Sequence, residues 1–184
     1  MMPTKAAIRQ QTIQALNAMP AALRQRASAD LYRQLFALPA WQSAQRVATT
    51  ISGGFELATQ PIIDQAHAEG KIIAVPATLP HRQMAFHVVD EQTTFSTSSF
   101  GLQEPVNGAI IEPNAFDLIV VPGLVFATTR QRLGFGGGYY DRYLPQTTGF
   151  KVALALPAQQ APEPNWPVDP FDVLLDAVLM APTE

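Results

Sequence analysis

The chain is 184 residues long and 47% hydrophobic, enough to bury one continuous core. Its formal charge of −3 and isoelectric point near 5.6 argue against a basic nucleic-acid surface, so any anion site is local. With no cysteine, disulfides, thiolate zinc sites and cysteine nucleophiles are excluded; no apolar run approaches the ~20 residues of a membrane span, and a cytoplasmic protein is expected.

Two helices are predicted first. One covers about residues 4–19, with Ile8, Leu16 and Met19 as apolar points. The second follows Pro20, where Leu23, Ala27, Leu31, Leu35 and Leu38 recur at helical spacing, and Pro39 closes it. From Arg46 the texture changes to short apolar runs at 47–52, 72–75, 84–89, 118–122, 152–156 and 173–180. Several are continuous rather than alternating, which suits strands covered on both faces. A helix over about 61–69, stopped by Gly70, makes a strand–helix–strand unit of the first two. The expected fold is α/β: a layered domain with a mostly parallel central sheet flanked by helices. One domain over 1–184 is expected, with the two helices of 1–40 packed on its core.

Residues 90–116, with the run TTFSTSS and Pro105, Gly108 and Pro113, read as surface connections holding one short hairpin. Residues 157–170 carry prolines at 157, 162, 164, 167 and 170 and read as a stiff extended loop, with a lid or edge cover as the alternative. His67, His81 and His87 form no short ligand pair.

The densest chemistry lies in 117–144, DLIVVPGLVFATTRQRLGFGGGYYDRYL. Four glycines in the five positions 134–138 remove nearly every Cβ, so backbone N–H groups can approach an anion, and a helix predicted from Tyr139 adds its own free N–H groups. Arg132 offers a planar donor fork, Arg142 lies in the helix, and Asp141 could hold a phosphate-bound Mg²⁺. The loop ends without the Lys-Ser/Thr of a Walker loop, and spacing alone leaves phosphate binding and a tight structural turn both open. Asp141 is equally readable as an ordinary first-turn carboxylate, and Tyr139 and Tyr140 as packing aromatics.

The run PGLVF followed by RLGFGGGYYDRYL resembles the 5-formyltetrahydrofolate cyclo-ligase family. So do Lys5 and Arg9 as Lys-x-x-x-Arg, Glu56 and Thr59 as Glu-x-x-Thr, the strand end KIIAVP, Met84-Ala85-Phe86, GLQEP at 101–105, and Asp172 before VLLDAVL. The resemblance implies a sheet related to the sugar-phosphate isomerase and CoA-transferase group. It also implies an enzyme that turns 5-formyltetrahydrofolate into 5,10-methenyltetrahydrofolate with ATP as co-substrate and Mg²⁺ as cofactor. Carried over residue by residue, ATP contacts fall on Lys5, Arg9, Arg132, Leu133, Gly134, Phe135, Gly136, Gly137, Gly138, Tyr139 and Tyr140. Folate contacts fall on Ile51, Glu56 and the stretch from Phe135 to Tyr139, metal contacts on Asp141 and Asp172, and catalytic roles on Arg132, Tyr139 and Tyr140. The partners implied are these small molecules, without nucleic acid or membrane, in a monomer or weak oligomer.

The sequence departs from the family pattern Phe-Asp-x-x-Gly-x-Arg-Leu-Gly at Ala127 and Arg130, from His-Asp at Phe171-Asp172, and from a closing Thr at Met180. Replacing a turn glycine by Arg130 predicts a rebuilt turn. Two other readings stand beside the enzyme: a non-catalytic folate or nucleotide binder, and a phosphate-binding isomerase or CoA-transferase relative. ATP-dependent phosphate release separates them.

Overall fold

Residues 2–184 are described by the computed structural model of the chain. The Thr4 hydroxyl accepts from the Ala7 N–H at 3.2 Å and caps helix α1, Lys5–Ala18, which buries Ile8, Thr12 and Leu16. Met19 and Pro20 are extended, so the chain turns before α2, Ala21–Ala37, buries Ala27, Leu31 and Leu35 along one face. Pro39 was expected only to end this helix; it also begins α3, Pro39–Ser43, which drives Trp41 fully into the core. Proline suits the first helical turn because its missing N–H would be unpaired there anyway.

Then come strand β1, Arg46–Ala48; helix α4, Gln60–Ala68; and the hairpin of β2, Ile72–Leu79, with β3, Gln83–Val88. Strands β4, Phe95–Thr97, and β5, Gln103–Pro105, pair as the short hairpin expected in this region. Beyond them, β6, Ile110–Ile111, joins the edge of the main sheet at β3, so the stretch is more than surface connection. The chain continues through β7, Leu118–Val120; β8, Val125–Ala127; β9, Arg132–Leu133; and α5, Tyr139–Tyr143. It ends with β10, Phe150–Ala155; β11, Gln160–Ala161; and β12, Ala177–Met180.

The seven-stranded sheet has the order β12-β10-β7-β1-β2-β3-β6. Neighbours from β12 to β2 are parallel, β3 is antiparallel to β2 and β6 antiparallel to β3, in line with the mostly parallel expectation. Alternate residues serve opposite faces. Val47, Ile73, Val75, Leu118, Val120, Val152 and Leu154 pack with α1, α2 and α4, while Ala48, Ala74, Ile119, Val121, Ala153 and Ala155 pack with Phe86, Phe116 and Tyr143. Both sets are buried, which is why the strands read as unbroken apolar runs.

Two expected strands are shorter than their apolar runs. The run 47–52 pairs only over Arg46–Ala48, and the run 173–180 only over Ala177–Met180. The proline-rich segment, read as a stiff extended loop or an edge cover, is anchored twice: β11 pairs with β8 as the edge of a three-stranded sheet, and Trp166 is 1% exposed.

The turn between β8 and β9 is not rebuilt. The Arg130 N–H donates to the Ala127 carbonyl at 2.9 Å, the Ala127 N–H donates to the Gln131 carbonyl at 2.9 Å, and Arg130 holds φ 76°. This is the bulged hairpin turn in which glycine usually takes the left-handed position. Arg130 therefore keeps the glycine conformation and bears its steric cost.

Candidate active site

Strand β1 pairs with β2 on one side and β7 on the other, so the direction of sheet building reverses there. In open α/β sheets, loops leaving the carboxyl ends of strands at such a reversal diverge and leave a crevice. A cavity of about 670 Å³ occupies this place, lined by Thr50, Ile51, Gly53, Phe55 and Glu56 after β1, Pro122 after β7, and Pro76 and Thr78 near the end of β2. Every ATP, folate, metal and catalytic residue carried over from the family resemblance lines it, from Lys5 and Arg9 on α1 through the 132–141 stretch to Asp172, whereas Arg142 and Thr59 do not.

Arg132, on β9, is 9% exposed. It donates through Nη1 to the Pro122 carbonyl and through Nη2 to Asp141 Oδ1, each at 3.0 Å, and its guanidinium lies 5.7 Å from the centre of the Tyr140 ring. Part of the glycine content exists to admit this side chain. A Cβ on Gly134 would stand 2.8 Å from Arg132 Nη1, and one on Gly123 would stand 2.9 Å from the Phe126 ring. Gly136 and Gly138 serve differently, holding φ 103° and 73°, where L residues are strained. Helix α5 spans five residues, so its dipole is a smaller resource for an anion than a full helix would be.

The loop is pinned by arginines. Arg9 Nε donates to the Gly134 carbonyl at 2.8 Å across 125 residues of sequence. Arg82 Nη1, from the turn between β2 and β3, donates to the Gly137 carbonyl at 3.0 Å. Lys5 pairs with Asp169 and stands 3.8 Å from Asp172, whose Oδ2 also accepts from the Asp169 N–H at 2.9 Å.

Glu56 lies on the cavity wall after β1. Burial raises its carboxyl pKa, a shift opposed by the Gly53 N–H 3.4 Å away. The Tyr140 hydroxyl is buried without a protein partner, and burial raises its pKa, with the Arg132 charge opposing and the Glu56 charge adding to the rise. Phe55 and Phe135 lie 6.4 Å apart on the cavity wall, flat surfaces suited to a ring system.

Among the described residues no three His, Asp or Glu side chains gather as a metal cage. Asp141 and Asp172 are hard oxygen donors on the wall, and only Oδ1 of Asp141 is committed to Arg132. That fits Mg²⁺, which takes one or two carboxylates and completes its shell with phosphate and water.

Sequence reasoning left several wall residues without a role. Phe100, Leu102, Gln103 and Glu104 come from the β4–β5 ribbon, where the Thr78 hydroxyl donates to Glu104 at 2.8 Å. Asp169 comes from the proline-rich segment. The GLQEP match was the signal for Leu102, Gln103 and Glu104, and the Met84-Ala85-Phe86 match for Met84 on the same wall; Arg82 had none.

None of the departures from the family pattern lines the cavity, although Phe171 adjoins Asp172. Ala127 is fully buried in the main core opposite Ala161, and Met180 packs on the second face of the sheet. Phe171 is 83% exposed, and nothing in the structure explains it.

The profile described as the 5-formyltetrahydrofolate cyclo-ligase family matches residues 1–181. A mouse (Mus musculus) protein named 5-formyltetrahydrofolate cyclo-ligase is 31% identical over 189 aligned positions, covering 95% of this chain and 92% of its own. A probable 5-formyltetrahydrofolate cyclo-ligase of Schizosaccharomyces pombe is 30% identical, covering 83% of this chain and 82% of its own. The NMR structure of Aquifex aeolicus 5,10-methenyltetrahydrofolate synthetase superposes with a TM-score of 0.83 at 27% identity, covering 96% of this chain and 89% of its own. With the motif residues gathered on one cavity and the match running nearly end to end, this chain belongs to the 5-formyltetrahydrofolate cyclo-ligase family.

Proposed function

We propose that this protein converts 5-formyltetrahydrofolate and ATP into 5,10-methenyltetrahydrofolate, ADP and phosphate, acting in the cytoplasm as one domain over 1–184 and as a monomer or weak oligomer. The observation that carries this reading is convergence: Lys5, Arg9, Glu56 and the 132–141 stretch, far apart in sequence, line the same cavity.

The chemistry explains why such a set is needed. A formamide oxygen is a very poor leaving group, so N10 cannot expel it directly. Transfer of the γ-phosphoryl group to that oxygen, with ADP leaving, gives an imidate phosphate. N10 then attacks the formyl carbon and loses its proton, and the C–O bond breaks with phosphate carrying away the electron pair. No covalent bond to the protein is required, so alignment and charge neutralisation carry the rate.

Lys5 and Arg9 hold the triphosphate from α1, and loop amides of 135–138 face its oxygens. Arg132, fixed between Pro122 and Asp141, stabilises charge on the transferring group. The unpartnered Tyr140 hydroxyl orients the formyl oxygen, and Tyr139 packs along the substrate edge. Glu56 accepts from N–H donors of the reduced pterin while Ile51 packs on its ring. Mg²⁺ held by Asp141, with Asp172 as a further carboxylate, supplies neutralisation of phosphate charge when bound.

The test is absorbance of the methenyl product in the near ultraviolet, with 5-formyltetrahydrofolate, Mg²⁺ and ATP, against a control without ATP. ATP-dependent growth of the band is expected. A flat trace from folded protein that still binds 5-formyltetrahydrofolate would replace the enzyme reading by the non-catalytic binder.

A further inference from the structure

The turn joining β2 to β3 holds two consecutive non-glycine residues in left-handed backbone, His81 at φ 61° and Arg82 at φ 60°. L side chains resist this region, and a three-residue hairpin loop ordinarily needs only one such residue. Leu79 still pairs with Gln83 beside the turn, so the sheet register is intact and the distortion is confined to the tip. Both side chains are exposed, and no burial repays the strain. What the distorted tip does achieve is the reach of Arg82 to the glycine loop, with Nη1 donating to the Gly137 carbonyl at 3.0 Å. The same nitrogen lies 3.8 Å from where a Cβ would stand on Gly138, the left-handed residue that opens α5.

We infer that Arg82 is a positioning residue for the nucleotide loop: the strained β2–β3 turn aims its guanidinium at Gly137 and orders residues 134–138 before substrate arrives. Glycine gives up more backbone freedom on ordering than any other residue, so a four-glycine loop left loose would charge that entropy against every ATP that binds. Arg9 fixes the loop's first carbonyl from one wall and Arg82 its fourth from the other, on elements remote in sequence. The two pins occupy carbonyls, which leaves amides for an anion. Gly138 leads directly into Tyr139, Tyr140 and Asp141, so a shift at Gly137 is passed to the groups that meet the substrate. Strain retained at an exposed turn is expected where its removal would cost function.

This rests on the reading that the loop receives ATP, and the experiment separates the two. Arg82→Ala, Arg82→Gly and Arg82→Lys are compared with the unaltered protein by steady-state kinetics, thermal unfolding, and amide hydrogen exchange of residues 134–139 without nucleotide. For Arg82→Ala we expect kcat/KM for ATP to fall about tenfold or more, the loss of one charge-assisted hydrogen bond, with faster exchange in the loop. Arg82→Gly should show the same kinetic loss while its unfolding midpoint stays level or rises, because glycine relieves the backbone. Arg82→Lys, which keeps the charge, should recover part of the activity. Unchanged loop exchange and unchanged kcat/KM in the alanine and glycine variants would overturn the inference, as would activity that falls only in step with stability. If the unaltered protein shows no ATP-dependent reaction, the functional reading fails while loop exchange still decides whether Arg82 orders the loop.

Discussion

Two hairpins bring arginines toward the same loop by opposite means. The β8–β9 hairpin places Arg132 on a strand, nearly buried, with two hydrogen bonds, one of them to a carboxylate, and its left-handed turn residue Arg130 is exposed and does not line the cavity. The β2–β3 hairpin uses the turn itself: Arg82 is exposed, left-handed, and makes one bond to a backbone oxygen. Among the described residues the Arg130 side chain makes no hydrogen bond or ion pair that its strain could serve, whereas the strain at Arg82 aims the side chain. An outlying φ therefore gains meaning only when one traces which atom the distortion delivers.

The comparison predicts that Arg132 supports fold and chemistry together. Arg132→Ala removes the partner of Asp141, opens a gap among Gly123, Gly134 and Phe126, and withdraws charge from the cavity. Because the Asp141 side chain is 34% exposed, solvent softens the loss. A cost of about 2 kcal/mol is expected, roughly 4–8 °C in the unfolding midpoint, with turnover down by a factor of about 100 or more. Thermal melting and the methenyl assay check both. An Arg132→Ala protein of full stability would break the contrast, since it would make the buried arginine as dispensable to the fold as Arg82.

Glu56 sharpens it from the other side, as a place where activity and stability should move in opposite directions. On the proposed reading, Glu56→Gln leaves the pterin N–H groups a neutral amide oxygen in place of a charged carboxylate, and KM for 5-formyltetrahydrofolate should rise roughly 10- to 100-fold. Burial holds the folded-state pKa of Glu56 above its ordinary value, so the native protein binds this proton more tightly than the unfolded chain. The carboxylate then costs stability once pH rises through that folded value and costs nothing below the usual glutamate range near ~4.3. The glutamine variant should be the more stable at pH 7 to 8, with the advantage vanishing toward pH 4. Melting curves at both ends of that window test the sign.

Much of the sheet was legible because its signal is local. Leu118–Val120 and Val152–Ala155 are unbroken apolar runs, and burial on both faces is what makes them so. Strand ends were not legible: Thr49 still donates to the Ala74 carbonyl of β2, but from Thr50 the chain leaves the sheet and diverges to line the cavity, a tertiary event. The site was legible where a contiguous motif carried it, as in 132–141. The reasons for its glycines were not, because a missing Cβ looks alike whether it admits an anion, a positive φ at Gly136, or the Arg132 side chain at Gly134. Arg82 and Asp169 lay out of reach, since neither periodicity nor motif reports a turn tip or proline-rich segment folding onto a distant loop.

The smallest effect falls at Arg130, and it tests whether a departure from the family pattern touches the chemistry at all. Its backbone N–H bonds to Ala127, its carbonyl accepts from the Leu175 N–H at 3.1 Å, and both bonds survive in glycine. Arg130→Gly removes a left-handed penalty of about 1–2 kcal/mol and adds about 0.5–1 kcal/mol of chain entropy to the unfolded state. A net gain of about 0.5–1 kcal/mol follows, a rise of roughly 1–4 °C in the melting midpoint. Activity should not change, because no residue of 128–131 lines the cavity and the bonds that set the turn are kept. If melting rises with activity constant, this substitution is a cost in stability alone and the loop's geometry is independent of it. A gain in turnover instead would mean that strain at Arg130 reaches Arg132 two residues on, and the two hairpins would then share one mechanism.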